Sequence, residues 1–316
     1  MEAILSLSSV HKIFNDKVVI DDVSIELNAF ENLAIIGETG SSKTTLLKTM
    51  SGLLEVDRGE VAFRGEKVKG PSSRLVPGHP EIKYLAQHFE LPKFITVYDY
   101  LNRSSEIMVE NANEIYQACN IVHLLERDTS ELSGGERQRV ALAKEILKAP
   151  AILLLDEPFS NLDFSHRQEL HAVLRVIKKD LDVTTVLVAH DPKDVLAWAD
   201  IILIMKNGAM VQKGSPVEVY NRPLNSYVAG LLGVYSEIST KEFKVAESTR
   251  STDLTFIRPH HIHLGIHGGT KGVISEILYF GSYDQLTISA EGKRLYAFSN
   301  VGQYNIGDEV TFEIML

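Results

Sequence analysis

A turn near the N-terminus combines glycines, hydroxyl groups and a lysine at a spacing that suits phosphate binding. It consists of Gly37, Glu38, Thr39, Gly40, Ser41, Ser42, Lys43, Thr44 and Thr45. An apolar stretch precedes it and a helix-like stretch follows, so backbone N–H groups and a helix N-terminus would favour an anion there. Lys43 would reach the β- and γ-phosphates of a nucleotide, and the Thr44 hydroxyl would ligate Mg²⁺.

This turn departs from the pattern G-x-x-x-x-G-K-[ST] at one position, where Ser42 replaces the second glycine. Glycine is favoured where the backbone approaches a ligand closely or takes a positive φ. Taken alone, the stretch therefore fits either a nucleotide-binding loop or an ordinary strand-to-helix turn. If it does bind nucleotide, we predict that Ser42 is tolerated and that it weakens binding or slows use of that nucleotide.

A second candidate anion site lies further along the chain, again before a helical pattern. It consists of Leu132, Ser133, Gly134, Gly135, Glu136, Arg137 and Gln138. The two glycines would expose backbone N–H groups, and Ser133 adds a hydroxyl. The same residues also suit a helix that merely begins at a serine cap. This turn alone leaves both interpretations open.

An acidic pair and a histidine directly follow two apolar stretches. Asp156 and Glu157 follow Ala151–Leu155, and His190 follows Thr184–Ala189. A carboxylate at the end of a buried strand is costly unless it binds something, and beside a phosphate loop Asp156 would bind Mg²⁺ directly or through water. Glu157 could polarise a water for attack on the γ-phosphate. His190 would contact the γ-phosphate at the same sheet edge, unless it is a plain strand-end residue.

Composition bounds the class of protein. The 316 residues suffice for two domains, 44% of them are hydrophobic, and the formal net charge is −10. The negative charge argues against a broad nucleic-acid-binding face. The single cysteine, Cys119, excludes an internal disulfide and a cysteine zinc site, and we expect its thiol to be buried. No secretory signal is recognisable and no apolar run approaches the ~20 residues that span a bilayer, so we expect a soluble, cytoplasmic chain.

Helical and apolar patterns alternate through the middle of the chain. They lie at residues 137–147, 151–155, 165–179, 184–189 and 200–205. This alternation predicts a mostly parallel sheet that is covered on both faces. Half-buried strands are predicted within 3–27 and 59–63, and residues 107–127 have a helical period that suggests a helical insertion. A tight hairpin is predicted at Asn207 and Gly208.

The C-terminal part has a different pattern. Short β segments occur at residues 273–278, 285–289, 294–298 and 309–314. Glycines and polar residues separate them, which predicts a small all-β, barrel-like domain.

Taken in order, these motifs resemble the ATP-binding subunits of ABC transporters across residues 1–232. The resemblance rests on the phosphate loop, Gln87, the LSGGERQ and LLLDEP motifs, the Ser160–Asp163 segment and His190. It implies an α/β P-loop NTPase core with a mostly parallel sheet, an antiparallel β subdomain and a helical subdomain, followed by a small OB-like all-β domain. The implied domains are 1–234, with a helical insertion at about 88–138, and 235–316.

The resemblance also implies roles for individual residues. The implied catalytic residues are Glu157, His190, Gln87 and Lys43, and the implied Mg²⁺ ligands are Thr44, Gln87 and Asp156. Phe14 would stack on adenine, and Gly37 to Thr45 would hold the phosphates of ATP. Ser133, Gly134, Gly135 and Gln138 would bind the ATP held by an opposite subunit, with Asp163 at the dimer interface.

Partners and location follow from the same resemblance. Two ATPase chains, as a homodimer or a pair, would enclose two ATP molecules, and Phe89–Leu101 would contact transmembrane permease subunits. An extracytoplasmic solute-binding protein would act indirectly, and no nucleic acid is expected. The chain would lie peripherally on the cytoplasmic face of the inner membrane. The transported substrate stays open.

The tail resembles importers of the maltose, polyamine, iron and sulfate type. The resemblance rests on residues 214–223, 227–230 and 257–261, and it implies a transport-associated OB-type (TOBE) domain at 255–316. His260, His261 and His263 could suggest a metal site, but no cysteine or acidic ligand completes a set, so packed or solvent-facing histidines are favoured.

Two alternatives remain at this point. An ABC ATPase of DNA repair or translation would share the core motifs, although the acidic charge and the β-rich tail disfavour it. A module that binds ATP without hydrolysing it is favoured by Ser42 and disfavoured by Glu157 and His190.

Overall fold

The computed structural model describes residues 3–103, 109–160, 162–239, 243, 245–246 and 254–315. The chain forms two compact units, Met1–Pro216 and Val217–Leu316. The domain boundary predicted at residues 234 and 235 stays a prediction. Among the described residues, no helix combines the length and apolar character needed to cross a bilayer.

Strands and helices alternate in the first unit, and strands dominate the second. The strands are β1 (Ala3–Phe14), β2 (Lys17–Asn28), β3 (Asn32–Ile36), β4 (Arg58–Phe63), β5 (Glu66–Lys67), β6 (Ile82–Leu85), β7 (Ile152–Asp156), β8 (Thr184–Ala189), β9 (Ile201–Lys206), β10 (Ala209–Gly214), β11 (Ser236–Ser239), β12 (Val245–Ala246), β13 (Leu254–Ile257), β14 (Ile262–Leu264), β15 (Thr270–Tyr279), β16 (Asp284–Ala290), β17 (Lys293–Ser299) and β18 (Glu309–Met315). The helices are α1 (Lys43–Met50), α2 (Val97–Asn102), α3 (Val109–Ala118), α4 (Gly134–Ile146), α5 (Phe164–Asp180), α6 (Pro216–Asn221) and α7 (Ser226–Leu231).

The larger sheet of the first unit has the strand order β10-β9-β3-β8-β7-β6. Its pairs are parallel except for the β9–β10 hairpin, which turns at Asn207 and Gly208 with φ of 50° and 83°. Strands β3, β7 and β8 are buried along their whole length, as expected for a sheet covered on both faces. The predicted parallel sheet and hairpin are therefore confirmed.

Strand register brings the candidate site residues to one edge of this sheet. Ile36 lies opposite Ala189, and Asp156 lies opposite Val188. The phosphate loop, the acidic pair and His190 therefore all begin where β3, β7 and β8 end. This edge is where ligands of open α/β sheets bind.

A second, antiparallel sheet has the order β2-β1-β4-β5. Phe14 ends β1 and pairs with Lys17 across the turn at Asn15 and Asp16, whose φ values are 46° and 61°. This sheet matches the half-buried strands predicted near the N-terminus. It carries the predicted adenine contact at its hairpin tip.

The helical insertion differs from the prediction. A helical stretch was expected over 107–127, but α3 ends at Ala118, and residues 107 and 108 lie outside the described residues. Asn120 takes a left-handed conformation, with φ of 51°, and the Ile121 N–H bonds to the Tyr116 carbonyl at 2.9 Å. This is a helix-ending motif, so the expectation is wrong beyond Ala118.

Cys119 follows α3 directly and is fully buried. Burial raises the pKa of its thiol to about 12. The predicted buried thiol is confirmed.

The second unit has the predicted all-β core. Its main sheet has the order β12-β18-β15-β16-β17, with β14 also pairing with β18, and β11 pairs with β13. Phe243, Ile288 and Phe312 are among the side chains of its apolar core. The four β segments predicted from residue 273 onward correspond to β15–β18.

The 257–261 segment has a structural role within this unit. Arg258 is 1% exposed, and its guanidinium donates to the carbonyls of Tyr220, Ala229 and Gly233 at 3.1, 2.8 and 3.0 Å. His261 accepts a bond from the Arg258 N–H. Within the described ranges, no group of three His, Cys, Asp or Glu side chains could hold a metal ion.

Candidate functional site

The phosphate loop runs from the end of β3 to the start of α1 and surrounds the Lys43 side chain. Lys43 is 5% exposed, and its Nζ donates to the carbonyls of Gly37 and Glu38 at 2.8 and 2.9 Å. Burial lowers the pKa of Lys43, and the nearby charges of Glu157 and Asp156 oppose that shift. The ammonium group therefore lies between the loop backbone and the acidic pair.

Ser42 takes a conformation that glycine would adopt without strain. Its φ and ψ are 73° and 20°, in the left-handed region, and it precedes the first residue of α1. A left-handed conformation costs a residue with a Cβ about 1–2 kcal/mol. Within the described chain no side chain caps the N-terminus of α1, so its first N–H groups suit an anion.

Asp156 joins the loop through Thr44. Asp156 is 3% exposed, and its Oδ1 accepts a hydrogen bond from Thr44 Oγ1 at 3.0 Å. A carboxylate and a hydroxyl at hydrogen-bond distance supply the oxygen ligands that Mg²⁺ prefers. The donor set of Thr44 and Asp156 therefore fits the predicted metal.

Tyr84 is a neighbour of Asp156 that the sequence reasoning missed. Its hydroxyl donates to Asp156 Oδ2 at 2.8 Å from the adjacent strand β6. Burial raises the pKa of Tyr84 above its ordinary value, and the hydrogen bond to Asp156 adds to that shift. A tyrosine three residues before Gln87 was the available signal, but only strand register reveals the contact.

Glu157, Gln87 and His190 lie close together at the sheet edge. Gln87 Nε2 lies 3.2 Å from Glu157 Oε2, and His190 Nδ1 lies 3.8 Å from the same oxygen. Glu157 has a positive φ of 48°, and its N–H bonds to the Val188 carbonyl at 3.1 Å. Three of the four predicted catalytic residues thus form one polar group, with Lys43 on the loop side.

Ser160 also belongs to this group and was not predicted as a site residue. Its Oγ lies 3.3 Å from Gln87 Nε2, and it donates to the Glu157 carbonyl at 2.7 Å. It therefore stabilises the turn after Glu157.

The second glycine turn is capped by its own side chains. The Glu136 N–H donates to Ser133 Oγ at 3.3 Å, and the Ser133 N–H donates to Glu136 Oε2 at 2.8 Å. This capping box starts α4 and holds the pKa of Glu136 below its usual value. Gly134 is exposed, and none of the described residues has an atom within 4 Å of where a Cβ would lie.

Gly135 and Gln138 face the interior instead. A Cβ on Gly135 would lie 2.3 Å from His166 Cδ2. Gln138 is 8% exposed, and its amide donates to the Pro158 carbonyl. Within this chain, Gln138 therefore links α4 to the segment after Glu157.

Phe14 offers an exposed ring at the tip of the β1–β2 hairpin. The ring is 44% exposed, and Lys12 Nζ lies 5.1 Å from its centroid. Asp57 fixes the hairpin, accepting bonds from Lys12 Nζ at 3.1 Å and from the Ile13 N–H at 2.6 Å. The ring is held at the surface, as a base-stacking residue requires.

Two further predicted surfaces have exposed side chains. Asp163 caps α5 by accepting from the His166 N–H at 2.9 Å, and Phe164 beside it is 78% exposed. In the 89–101 stretch, Phe94 and Tyr98 are 84% and 43% exposed. These are available surfaces for the predicted dimer and permease contacts.

A glycine-containing loop around a buried lysine after β3, with an acidic pair after β7 at the same sheet edge, is typical of P-loop nucleotide hydrolases. Comparison with known proteins then identifies the family. The ABC transporter family model matches residues 20–160. The sulfate/thiosulfate import ATP-binding protein of Pseudomonas putida is 31% identical over 303 residues, covering 92% of this chain and 88% of that protein.

Other relatives agree. The spermidine/putrescine import ATP-binding protein of Clostridioides difficile is 28% identical over 99% of this chain and 96% of its own length. A solved ATP-binding cassette of an ABC transporter, in its ADP conformation, has a TM-score of 0.61 and 25% identity over 72% of this chain and 98% of that one. The chain belongs to the ATP-binding proteins of ABC transporters and is an ATPase. The predicted family, fold class and enzyme class are confirmed.

Proposed function

We propose that the chain hydrolyses ATP at a composite site that two copies complete together, and thereby drives solute import. The observation that carries the composite site is the exposure of Gly134. The loop residues, Asp156 and Glu157 are assembled around Lys43 within one chain, whereas Ser133 and Gly134 present an open turn. An open turn with a serine hydroxyl and backbone N–H groups suits an anion brought by another chain.

Within this site each residue has a distinct task. Lys43 and the loop N–H groups hold the phosphates, and Phe14 stacks on the base. Thr44, Asp156 and Gln87 would hold Mg²⁺, which neutralises phosphate charge when bound. Glu157 accepts a proton from the attacking water, and Gln87 and His190 keep that carboxylate and water in place.

Import is carried over from the relatives, and the location is proposed together with it. The relatives named above are import proteins, which favours a transporter over DNA repair or translation. One acts on an anion and the other on a cation, so we assign solute selection to a permease and a solute-binding protein. The Phe89–Leu101 surface would contact the permease on the cytoplasmic face of the inner membrane. Residues 1–234 would form the nucleotide-binding domain, and 235–316 would form a TOBE-type domain.

Mixing two inactive variants tests the composite site. Lys43→Ala removes phosphate binding in its own loop, and Gly134→Asp places a negative charge on the open turn without a clash inside the chain. A mixed dimer then keeps one intact site, because the loop of one chain meets the turn of the other. We expect each variant alone to be inactive and the mixture to recover ATPase activity.

The outcomes separate the models. Activity that stays absent in the mixture, while mixed dimers form in ATP, would refute the composite site. Full activity of Gly134→Asp alone would show that the turn takes no part in hydrolysis.

A further inference from the structure

Tyr84 contacts the predicted magnesium ligand although no motif marks it. The two oxygens of Asp156 have separate partners. Tyr84 OH donates to Oδ2 at 2.8 Å, and Thr44 Oγ1 donates to Oδ1 at 3.0 Å. A phenol therefore occupies one oxygen of the carboxylate, and the other faces a predicted metal ligand.

The position of Tyr84 is fixed by its strand. In the parallel β6–β7 pair, Tyr84 lies opposite Leu154, and Leu85 lies opposite Leu155. Tyr84 also lines a cleft of about 500 Å³ with Pro77 and Lys148. A strand-fixed ring gives its hydroxyl one direction, so little conformational freedom is lost in holding the carboxylate.

We propose that Tyr84 is a positioning residue for the Mg²⁺ site: its hydroxyl holds Asp156 Oδ2, so that Oδ1 beside Thr44 is the oxygen offered to the metal. This inference rests on the proposed function, because it takes Thr44 and Asp156 as ligands. Removing a partner that orients a metal ligand typically weakens metal binding about 10–100-fold.

The segment from β6 to Gln87 contacts both acidic residues at the end of β7. Tyr84 holds Asp156, and three residues later Gln87 lies 3.2 Å from Glu157. The Tyr84–Asp156 hydrogen bond is half-buried and holds the end of β6 in place. The exposed contact between Gln87 and Glu157 lies three residues further along the chain. Orientation of the metal ligand and of the water-activating carboxylate is thus set from one strand end.

The test measures metal binding rather than turnover. The full chain carries Glu157→Gln to prevent hydrolysis, and Mn²⁺, a paramagnetic substitute for Mg²⁺, is titrated into the ATP complex and followed by EPR. Tyr84→Phe removes only the hydroxyl. Tyr116→Phe is the matched control, because Tyr116 OH donates to Asn102 Oδ1 at 3.4 Å in the helical insertion.

We expect Tyr84→Phe to raise the half-saturating Mn²⁺ concentration about 10-fold and Tyr116→Phe to leave it unchanged. ATP affinity in EDTA should be unaltered in both, which a purely structural role of Tyr84 would not predict. A normal Mn²⁺ titration of Tyr84→Phe, or its failure to fold, would overturn the inference. If Asp156→Asn also leaves the titration unchanged, the proposed metal site itself is wrong.

Discussion

Two glycine-containing turns in this chain each precede a helix, yet their helix ends are satisfied in different ways. At the phosphate loop, Ser42 provides no side-chain cap in the described structure, and Lys43 Nζ bonds the loop carbonyls. At the LSGGERQ turn, Ser133 and Glu136 cap the helix themselves. In the described structure the first N–H groups of α1 have no side-chain cap and suit an anion, whereas at the second turn Ser133 and Glu136 already bond each other.

This difference between the two turns matches the different roles proposed for them in the composite ATP site. The loop lies beside the acidic pair, which supports the proposal that one chain provides both phosphate binding and water activation. At the second turn, Ser133 and Gly134 are exposed. Their position suits contact with a ligand that is bound to another chain.

Glu157→Gln should prevent ATP hydrolysis at the site beside the phosphate loop. We expect the ATPase rate to fall about 10²–10⁴-fold, the usual contribution of a general base, while ATP binding persists. Steady-state ATPase and equilibrium ATP binding check this, with Glu60→Gln on the exposed face of β4 as control. An ATPase rate of Glu157→Gln near that of the wild type would show that Glu157 does not activate the attacking water.

The adjacent glycines of the second turn should respond differently to alanine. A Cβ on Gly135 meets His166, so Gly135→Ala should lower the free energy of unfolding by about 1–3 kcal/mol through overpacking. The added Cβ of Gly134→Ala meets no atom of the described part of the chain within 4 Å, so this variant should fold like the wild type. Denaturant unfolding compares the pair, and equal stability would contradict the distinction between a packed and an open glycine.

Ser42→Gly should relieve strain in the loop. Release from the left-handed conformation, less the entropy that glycine loses on folding, should add about 0.5–1 kcal/mol to the free energy of unfolding. ATP binding should tighten in the same variant. Ser51→Gly is the control, because Ser51 has φ of −81° and no such strain. Unchanged stability and ATP affinity of Ser42→Gly would mean that Ser42 neither strains the loop nor weakens ATP binding.

Glu136→Gln probes the capping box at the second turn. The folded pKa of Glu136 lies below its ordinary 4.5, so its stabilisation is present above pH 4.5 and is lost as pH falls through the lowered value. We expect Glu136→Gln to cost about 0.5 kcal/mol at pH 7, the lower end for a cap, and less at acidic pH. Urea unfolding of both chains between pH 7 and 4 measures this. A pH-independent difference would argue against a charged cap.

Patterns local in sequence predicted much of this molecule. The alternation of helices and apolar strands predicted the parallel sheet, and Asn207-Gly208 predicted its hairpin, since the turn needs two positive φ values. Of the two reasons for which glycine is favoured at the position of Ser42, a close approach to a ligand or a positive φ, the structure shows the positive φ. The fold and the main site residues are therefore largely encoded in short stretches.

Contacts between distant stretches were not predictable in the same way. The Tyr84–Asp156 bond depends on the register of β6 against β7. Gln138 was assigned to ATP by its motif, yet tertiary packing directs its amide to Pro158. Asn120, whose left-handed conformation terminates the helical segment after α3, is a residue type that favours helix ends. The helical spacing of the apolar residues around it predicted a longer helix instead.

If the exposed ring of Phe14 stacks on the base as proposed, it bears on which nucleotides the enzyme accepts. Stacking engages the π-face of a base, and every base has one, so a ring alone discriminates weakly between adenine and guanine. Phe14 and its neighbours Ile13 and Val18 present apolar surface, with Lys12 tied to Asp57. We expect GTP to be hydrolysed with kcat/KM within about tenfold of ATP, a small penalty typical of stacking without base-edge hydrogen bonds. Measuring kcat/KM for ATP and for GTP under the same conditions checks this. Similar values would mean that the enzyme uses both purine nucleoside triphosphates and not ATP alone.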